Sequence, residues 1–135
     1  QMALKGYGIS DLETCSHQFT NKQRQFQFTK KAISNPDGFI VPTIQAVLQA
    51  FYSTDSFESC LIDVVNRGGD ADTTGAIAGM LAGAYYGLDS IPKRWLKQLD
   101  NNVKSLCEVQ AEKLLELAPI SVPGSNVGHS TQSTY

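Results

Sequence analysis

The stretch Asn66-Arg67-Gly68-Gly69-Asp70-Ala71-Asp72-Thr73-Thr74-Gly75-Ala76-Ile77-Ala78-Gly79-Met80-Leu81-Ala82-Gly83-Ala84-Tyr85-Tyr86-Gly87 decides how the rest of the chain is read. Adjacent glycines permit backbone angles that other residues avoid, so an upstream helix breaks across 66–72. A new helix is expected to begin near Asp72 or Thr73 and to run to about Tyr86. Gly75, Gly79, Gly83 and Gly87 recur every four residues, which on a helix makes one ridge without side chains. Each interior glycine costs roughly 1 kcal/mol relative to alanine. The ridge therefore implies close approach of another helix or, at Gly75, of a ligand. The uncharged run from Thr73 to Leu88 is 16 residues, short of the roughly 20 that cross a bilayer, and no membrane span is expected.

Working outward, Ser56 caps a helix whose apolar stripe is Phe57, Leu61, Val64 and Val65, since its side chain can accept from the free amides of a first turn. Before that, Ile44, Val47, Leu48 and Phe51 fall at helical spacing over Thr43 to Tyr52, with Pro42 in the first turn, where its missing N–H is harmless. Asn35-Pro36-Asp37-Gly38 is a turn, and Gln23 to Lys31 is ambiguous between strand and helix. A short helix around Leu12 to Phe19 is expected, capped by Ser10 or Asp11. Downstream of Ile91-Pro92, helices are expected over Lys93 to Leu99 and Asn102 to Leu117. Residues 1–117 are read as the folded part. Residues 118–135 are rich in Ser, Thr, Gly and Pro and are expected to stay disordered. The fold class is all-α, a compact antiparallel helical bundle with short loops.

The totals exclude several functions. The chain has 135 residues with a net charge of -2 and 41% apolar residues, a composition without the basic footprint of a nucleic-acid binder. Cys15, Cys60 and Cys107 are odd in number, widely spaced and not in a Cys-x-x-Cys pair, which argues against a disulfide framework or a zinc site. Cys60 is expected as a buried thiol and the compartment as the reducing cytoplasm.

The chemistry concentrates at Gly69-Asp70-Ala71-Asp72-Thr73-Thr74. Residues two apart on a regular helix do not share a face, but in the turn before a helix two carboxylates can converge, and they lie in the favourable field of the helix N-terminus. With the Thr73 hydroxyl they supply hard oxygen donors suited to Mg²⁺, Mn²⁺ or Ca²⁺ rather than zinc. The plain alternative is a helix cap at Asp72 with Asp70 solvated. The spacing lacks the later acidic positions of an EF-hand.

Val64 through Gly87, followed by Ile91-Pro92 and Trp95-Leu96, resembles the ADP-ribosyl-glycohydrolase family, in particular its nitrogenase-linked, arginine-directed branch. The likeness extends upstream through Gly38-Phe39-Ile40-Val41 and on to about Leu117. The resemblance implies an all-α fold with two divalent cations, Mg²⁺ or Mn²⁺, that hydrolyses the N-glycosidic bond between ADP-ribose and a protein side chain, arginine in that branch. It implies Asp70, Asp72 and Thr73 as metal ligands, and Gly38, Phe39 and Gly69 as contacts to ADP-ribose. For Phe39 a core aromatic is the equal alternative.

One departure is large. Relatives are about twice as long, and their N-terminal half carries a Thr-Asp-Asp motif that is absent here. The chain is therefore read as the C-terminal half, to be completed by a second chain or segment that supplies the remaining ligands, and no general acid or base is assigned. Two rivals stand beside this reading. One is a non-catalytic module that binds ADP-ribose or metal; the other is a structural helical domain whose acidic motif is only a cap.

Overall fold

The computed structural model describes residues 1–29 and 31–117. The expectation for 118–135 lies outside the described residues. The chain divides into two compact units, Gln1–Asp100 and Asn101–Tyr135. The first contains α1 (Ile9–Lys22), α2 (Ile40–Ser53), α3 (Phe57–Asn66), α4 (Ala71–Tyr86) and α5 (Lys93–Leu96), with single 3-10 turns at Ala3–Lys5, Arg24–Phe26 and Leu88–Ser90. In the second unit α6 (Asn101–Leu117) is described, with Lys104 reaching Glu108 one turn on at 4.0 Å. Among the described residues all regular structure is helical, as the patterning requires. None of those helices is long and apolar enough to cross a membrane.

The core of the first unit is Val47, Ala50 and Phe51 from α2, Phe57, Cys60 and Val64 from α3, and Ala78 and Ala82 from α4. Phe51 is fully buried with its ring edge-on to Tyr85 at 5.5 Å, the arrangement aromatic quadrupoles favour. The α3 stripe differs from expectation at one place. Val65 remains 46% exposed, while Cys60 is buried as expected, because α3 turns its 57–60–64 edge to α2 and α4 together. Trp95 joins from α5 against Phe57 at 6.3 Å between rings.

Helix ends follow local chemistry. At Ser56 the side chain accepts from the Ser59 amide at 3.1 Å, and the Ser59 hydroxyl accepts from the Ser56 amide at 3.1 Å, a reciprocal cap that satisfies two donors. In α1 the cap is Gly8, without a side-chain bond, rather than Ser10 or Asp11. The helix also runs beyond the expected Leu12–Phe19, because its polar sequence gives little periodicity to bound it. Pro42 lies in the first turn of α2 as anticipated. The expected helix to Leu99 stops at Leu96, since the Gln98 amide bonds the Trp95 carbonyl three residues back and closes a turn instead of a ladder.

The glycine ridge of α4 lies on α3. A Cβ added at Gly75 would meet Val65 Cγ2 at 3.3 Å, one at Gly79 would meet Leu61 Cδ1 at 3.9 Å, and one at Gly83 would meet Phe57 Cε2 at 3.8 Å. Both rows step by four and run in opposite senses, so the i±4 ridges of two antiparallel helices interdigitate. Gly87 is not part of the ridge. It ends α4 at φ +80° with open space around its Cα.

Residues 23–29 and 31–33 are neither helix nor strand beyond the 3-10 turn, because side chains of α2 take up their backbone groups. Gln45 Nε2 donates to the carbonyls of Gln25 at 3.1 Å and Gln27 at 2.6 Å. One turn later, Gln49 Nε2 donates to those of Thr29 and Lys31, both at 2.7 Å. Gln49 Oε1 accepts from the Ile33 amide at 2.9 Å and from Arg67 Nη1 at 2.8 Å. Arg67 in turn grips Asp63 Oδ2 through Nε at 3.0 Å and Nη2 at 2.6 Å.

Candidate metal and substrate site

Two turns meet at the N-terminus of α4. The Asn35 amide donates to the Arg67 carbonyl at 2.8 Å, and the Asp70 amide donates to the Pro36 carbonyl at 2.7 Å. Pro36 is fully buried between them. The Asn35–Gly38 turn and the Gly68–Asp70 turn are thus one clasp, and the sequence-expected residues Gly38, Phe39, Gly69, Asp70, Asp72 and Thr73 all lie on it or at its edge.

Helix α4 starts at Ala71, with Asp70 rather than Asp72 in the capping position, one or two residues earlier than expected. Asp70 makes no side-chain cap bond. A hydrogen bond with the Asp70 carboxyl, followed by bonds from the amides of Asp72 itself and Thr73, holds the Asp72 carboxyl below the usual carboxylate range. Asp72 and Thr73 are exposed, whereas Thr74 is buried and donates from Oγ1 to the Asp70 carbonyl at 2.8 Å. Of the two adjacent threonines, Thr73 is therefore the one available to a ligand.

The Asp70 and Asp72 carboxylates and the Thr73 hydroxyl are hard oxygens of the kind a divalent cation takes. Among the described residues no three His, Cys, Asp or Glu side chains come together as a metal site. The oxygens present fall short of a full shell by themselves. Phe39 is 73% exposed, which is not the burial of a core aromatic. Ile40 next to it is also exposed, and so is Met80, which shares the Thr73 face of α4 two turns on.

The residue set that sequence reasoning missed is the support behind this clasp: Gln49, Asp63 and Arg67. They line a cavity of about 570 Å³ together with Glu13, His17 and Phe28, away from Asp70, Asp72 and Thr73. His17 stacks on Phe28 at 4.7 Å and lies 3.7 Å from Glu13. The Asn-Pro-Asp-Gly turn was visible in the sequence, but nothing local marks its partner.

A model of the ADP-ribosylglycohydrolase family matches residues 6–122. The chain belongs to this family. Among curated ADP-ribosylglycohydrolases and their relatives, the chain is 45% identical over 115 residues to ADP-ribosyl-[dinitrogen reductase] glycohydrolase of Rhodospirillum rubrum, covering 85% of this chain and 39% of that protein. It is 33% identical over 97 residues to ADP-ribosylarginine hydrolase Tri1 of Serratia proteamaculans, covering 70% of this chain and 25% of the relative. It is 46% identical over 41 residues to human ADP-ribosylhydrolase ARH3, covering 30% and 11%. The chain therefore spans well under half the length of these relatives. Its helical architecture agrees with the fold expected for an ADP-ribosylglycohydrolase.

Proposed function

We propose that this chain carries one half of a metal-dependent ADP-ribosyl-protein hydrolase site, completed by a second chain or by further sequence. Asp70, Asp72 and Thr73 hold one side of a two-cation centre of Mg²⁺ or Mn²⁺. Gly38, Phe39 and Gly69 contact the ADP-ribose, and the bond cleaved is the N-glycosidic link to a protein side chain, arginine by analogy with the relatives' names. The observation that supports this reading is the clasp, which brings the Gly38 turn against the Asp70 side chain at the start of α4.

The bound cations would supply orientation of ribose hydroxyls and activation of a water. The chain's own residues do the rest of what this half can do. Asp70 and Asp72 stay ionised as ligands and do not move protons, because coordination favours the charged form. Phe39 offers a ring face that covers the ligand and excludes water. The exposed apolar side chains of Phe39, Ile40 and Met80 support a covering partner, since apolar surface of this kind seldom stays open. Membership of a family whose named relatives are far longer supports the same conclusion. The general acid or base is assigned to the completing half.

The competing reading, that Asp72 only satisfies first-turn amides of α4, has its own support in the bonds from the Asp72 and Thr73 amides. The thermal midpoint with Mn²⁺ or Mg²⁺ against a chelator separates the two. A cation at 100 times its dissociation constant stabilises by about 2.7 kcal/mol, and the shift is expected to vanish in Asp72→Ala. If neither this chain nor the chain supplemented with the N-terminal portion of the Rhodospirillum rubrum relative responds to metal, the cap reading stands. With that portion added, release of ADP-ribose from an ADP-ribosylated arginine protein is the expected activity.

A further inference from the structure

The clasp holds one contact whose purpose is not substrate binding. Gly38 has φ +83°, and a Cβ built on it would overlap Asp70 Oδ2 and lie 3.3 Å from Asp70 Cγ and 3.5 Å from its Cβ. The whole Asp70 side chain thus lies along the face of residue 38 that has no side chain. Neither partner can retreat. The Asp70 amide is tied to the Pro36 carbonyl, and the 35–38 turn is tied to the Arg67 carbonyl, with Pro36 buried beneath it and α2 starting at Ile40. A side chain at residue 38 has to be accommodated by rotating the Asp70 carboxylate away from its place beside Asp72.

The geometry points to Gly38 as a positioning residue: its bare Cα face sets the direction of the Asp70 carboxylate, and with it the metal geometry of the half-site. This rests on the reading of Asp70 as a metal ligand. It gives Gly38 a role through its missing side chain, distinct from any contact its backbone makes to ADP-ribose.

Gly68 provides the internal control. It has φ +78°, so alanine there carries the same backbone strain, but its Cβ would meet the end of a side chain, Asn35 Oδ1 at 2.6 Å, and not Asp70. The experiment compares the 135-residue chain with Gly38→Ala and Gly68→Ala in two readouts. The first is Mn²⁺ binding followed by the loss of free-ion paramagnetic signal. The second is the Asp70 side-chain carboxyl carbon resonance without metal, assigned by its absence in Asp70→Asn. Both glycine variants are expected to lower the thermal midpoint. Gly38→Ala is expected to weaken Mn²⁺ binding by about tenfold or more, the usual consequence of disturbing what orients a ligand, and to move the Asp70 resonance. Gly68→Ala is expected to change neither. Should Gly38→Ala fail to fold, Gly38→Asn replaces it, since asparagine tolerates positive φ and still carries the Cβ. An Asp70 resonance that stays in place in the Gly38 variant, or that moves equally in Gly68→Ala, overturns the proposal. If the unaltered chain binds no Mn²⁺, the metal reading fails separately, and the resonance still decides whether Gly38 positions Asp70.

Discussion

Replacing Gln49 with alanine removes four hydrogen bonds from one side chain, and their worth follows from what each partner does afterwards. The charge-assisted bond from Arg67 Nη1 is of the kind that contributes about 1.5–3 kcal/mol, and the bond from the Ile33 amide about 1. The carbonyls of Thr29 and Lys31 regain water in part, and together add no more than about 1 kcal/mol. Arg67 keeps Asp63 and is not stranded. The sum is about 3–5 kcal/mol, a large share of the stability of a domain this size. It corresponds to a midpoint lowered by at least about 12 °C. Urea unfolding of the Gln49→Ala chain measures the total. Amide hydrogen exchange localises it, because the Ile33 N–H should lose its protection while amides in the middle of α2 lose only what global destabilisation dictates. A loss below about 1 kcal/mol with Ile33 still protected would refute the reasoning, and would mean that Thr29, Lys31 and Ile33 are held by something other than Gln49.

Three further outcomes are expected. Gly79→Ala should raise stability by about 0.5–1 kcal/mol in thermal unfolding, since its Cβ meets Leu61 at an ordinary 3.9 Å while helix propensity improves; Gly79→Leu, with nowhere to go, should lower it. Ser56→Ala should cost about 1 kcal/mol through loss of the reciprocal cap on α3, measured by urea midpoint. The Cys60 thiol, whose ionisation burial pushes up, with Thr54 opposing, should resist alkylation in the native chain while exposed Cys15 and Cys107 react. Its raised folded-state value stabilises fully below the unfolded thiol range and is lost as pH rises through the folded value, so Cys60→Ala should flatten the alkaline fall in stability.

The helices that carry the core were legible because their signals are local. Phe57 and Val64 repeat at helical spacing behind a serine cap, and the Gly-Gly pair stops α3 where it does. The metal-side residues were legible for the same reason, as Asp70, Asp72 and Thr73 are neighbours in sequence. The start of α4 was placed slightly late because both aspartates are good caps, and propensity alone does not choose between them; the Pro36 carbonyl, 34 residues upstream of Asp70 by numbering, makes that choice. Gln45 and Gln49 were illegible for a related reason. A glutamine on a helix reads as a solvated residue until the segment it binds is known, and that segment has no periodicity of its own. Phe39 shows the limit in another form, since an aromatic beside a glycine turn reads equally as core or as ligand contact until its exposure is seen.

The matched rows of α3 and α4 behave like two combs with the same tooth spacing. Sliding α4 by four residues, about 6 Å, would bring Gly75 opposite Leu61 and Gly79 opposite Phe57 with the teeth still meshed, so the comb alone does not choose among these settings. What distinguishes them lies off the ridge: the short link from Asn66 to Ala71, the packing of Tyr85 on Phe51 and the end stop of the Asp70 amide on the Pro36 carbonyl. A repetitive interface with non-repeating anchors leaves the setting of the acidic turn to contacts outside the ridge.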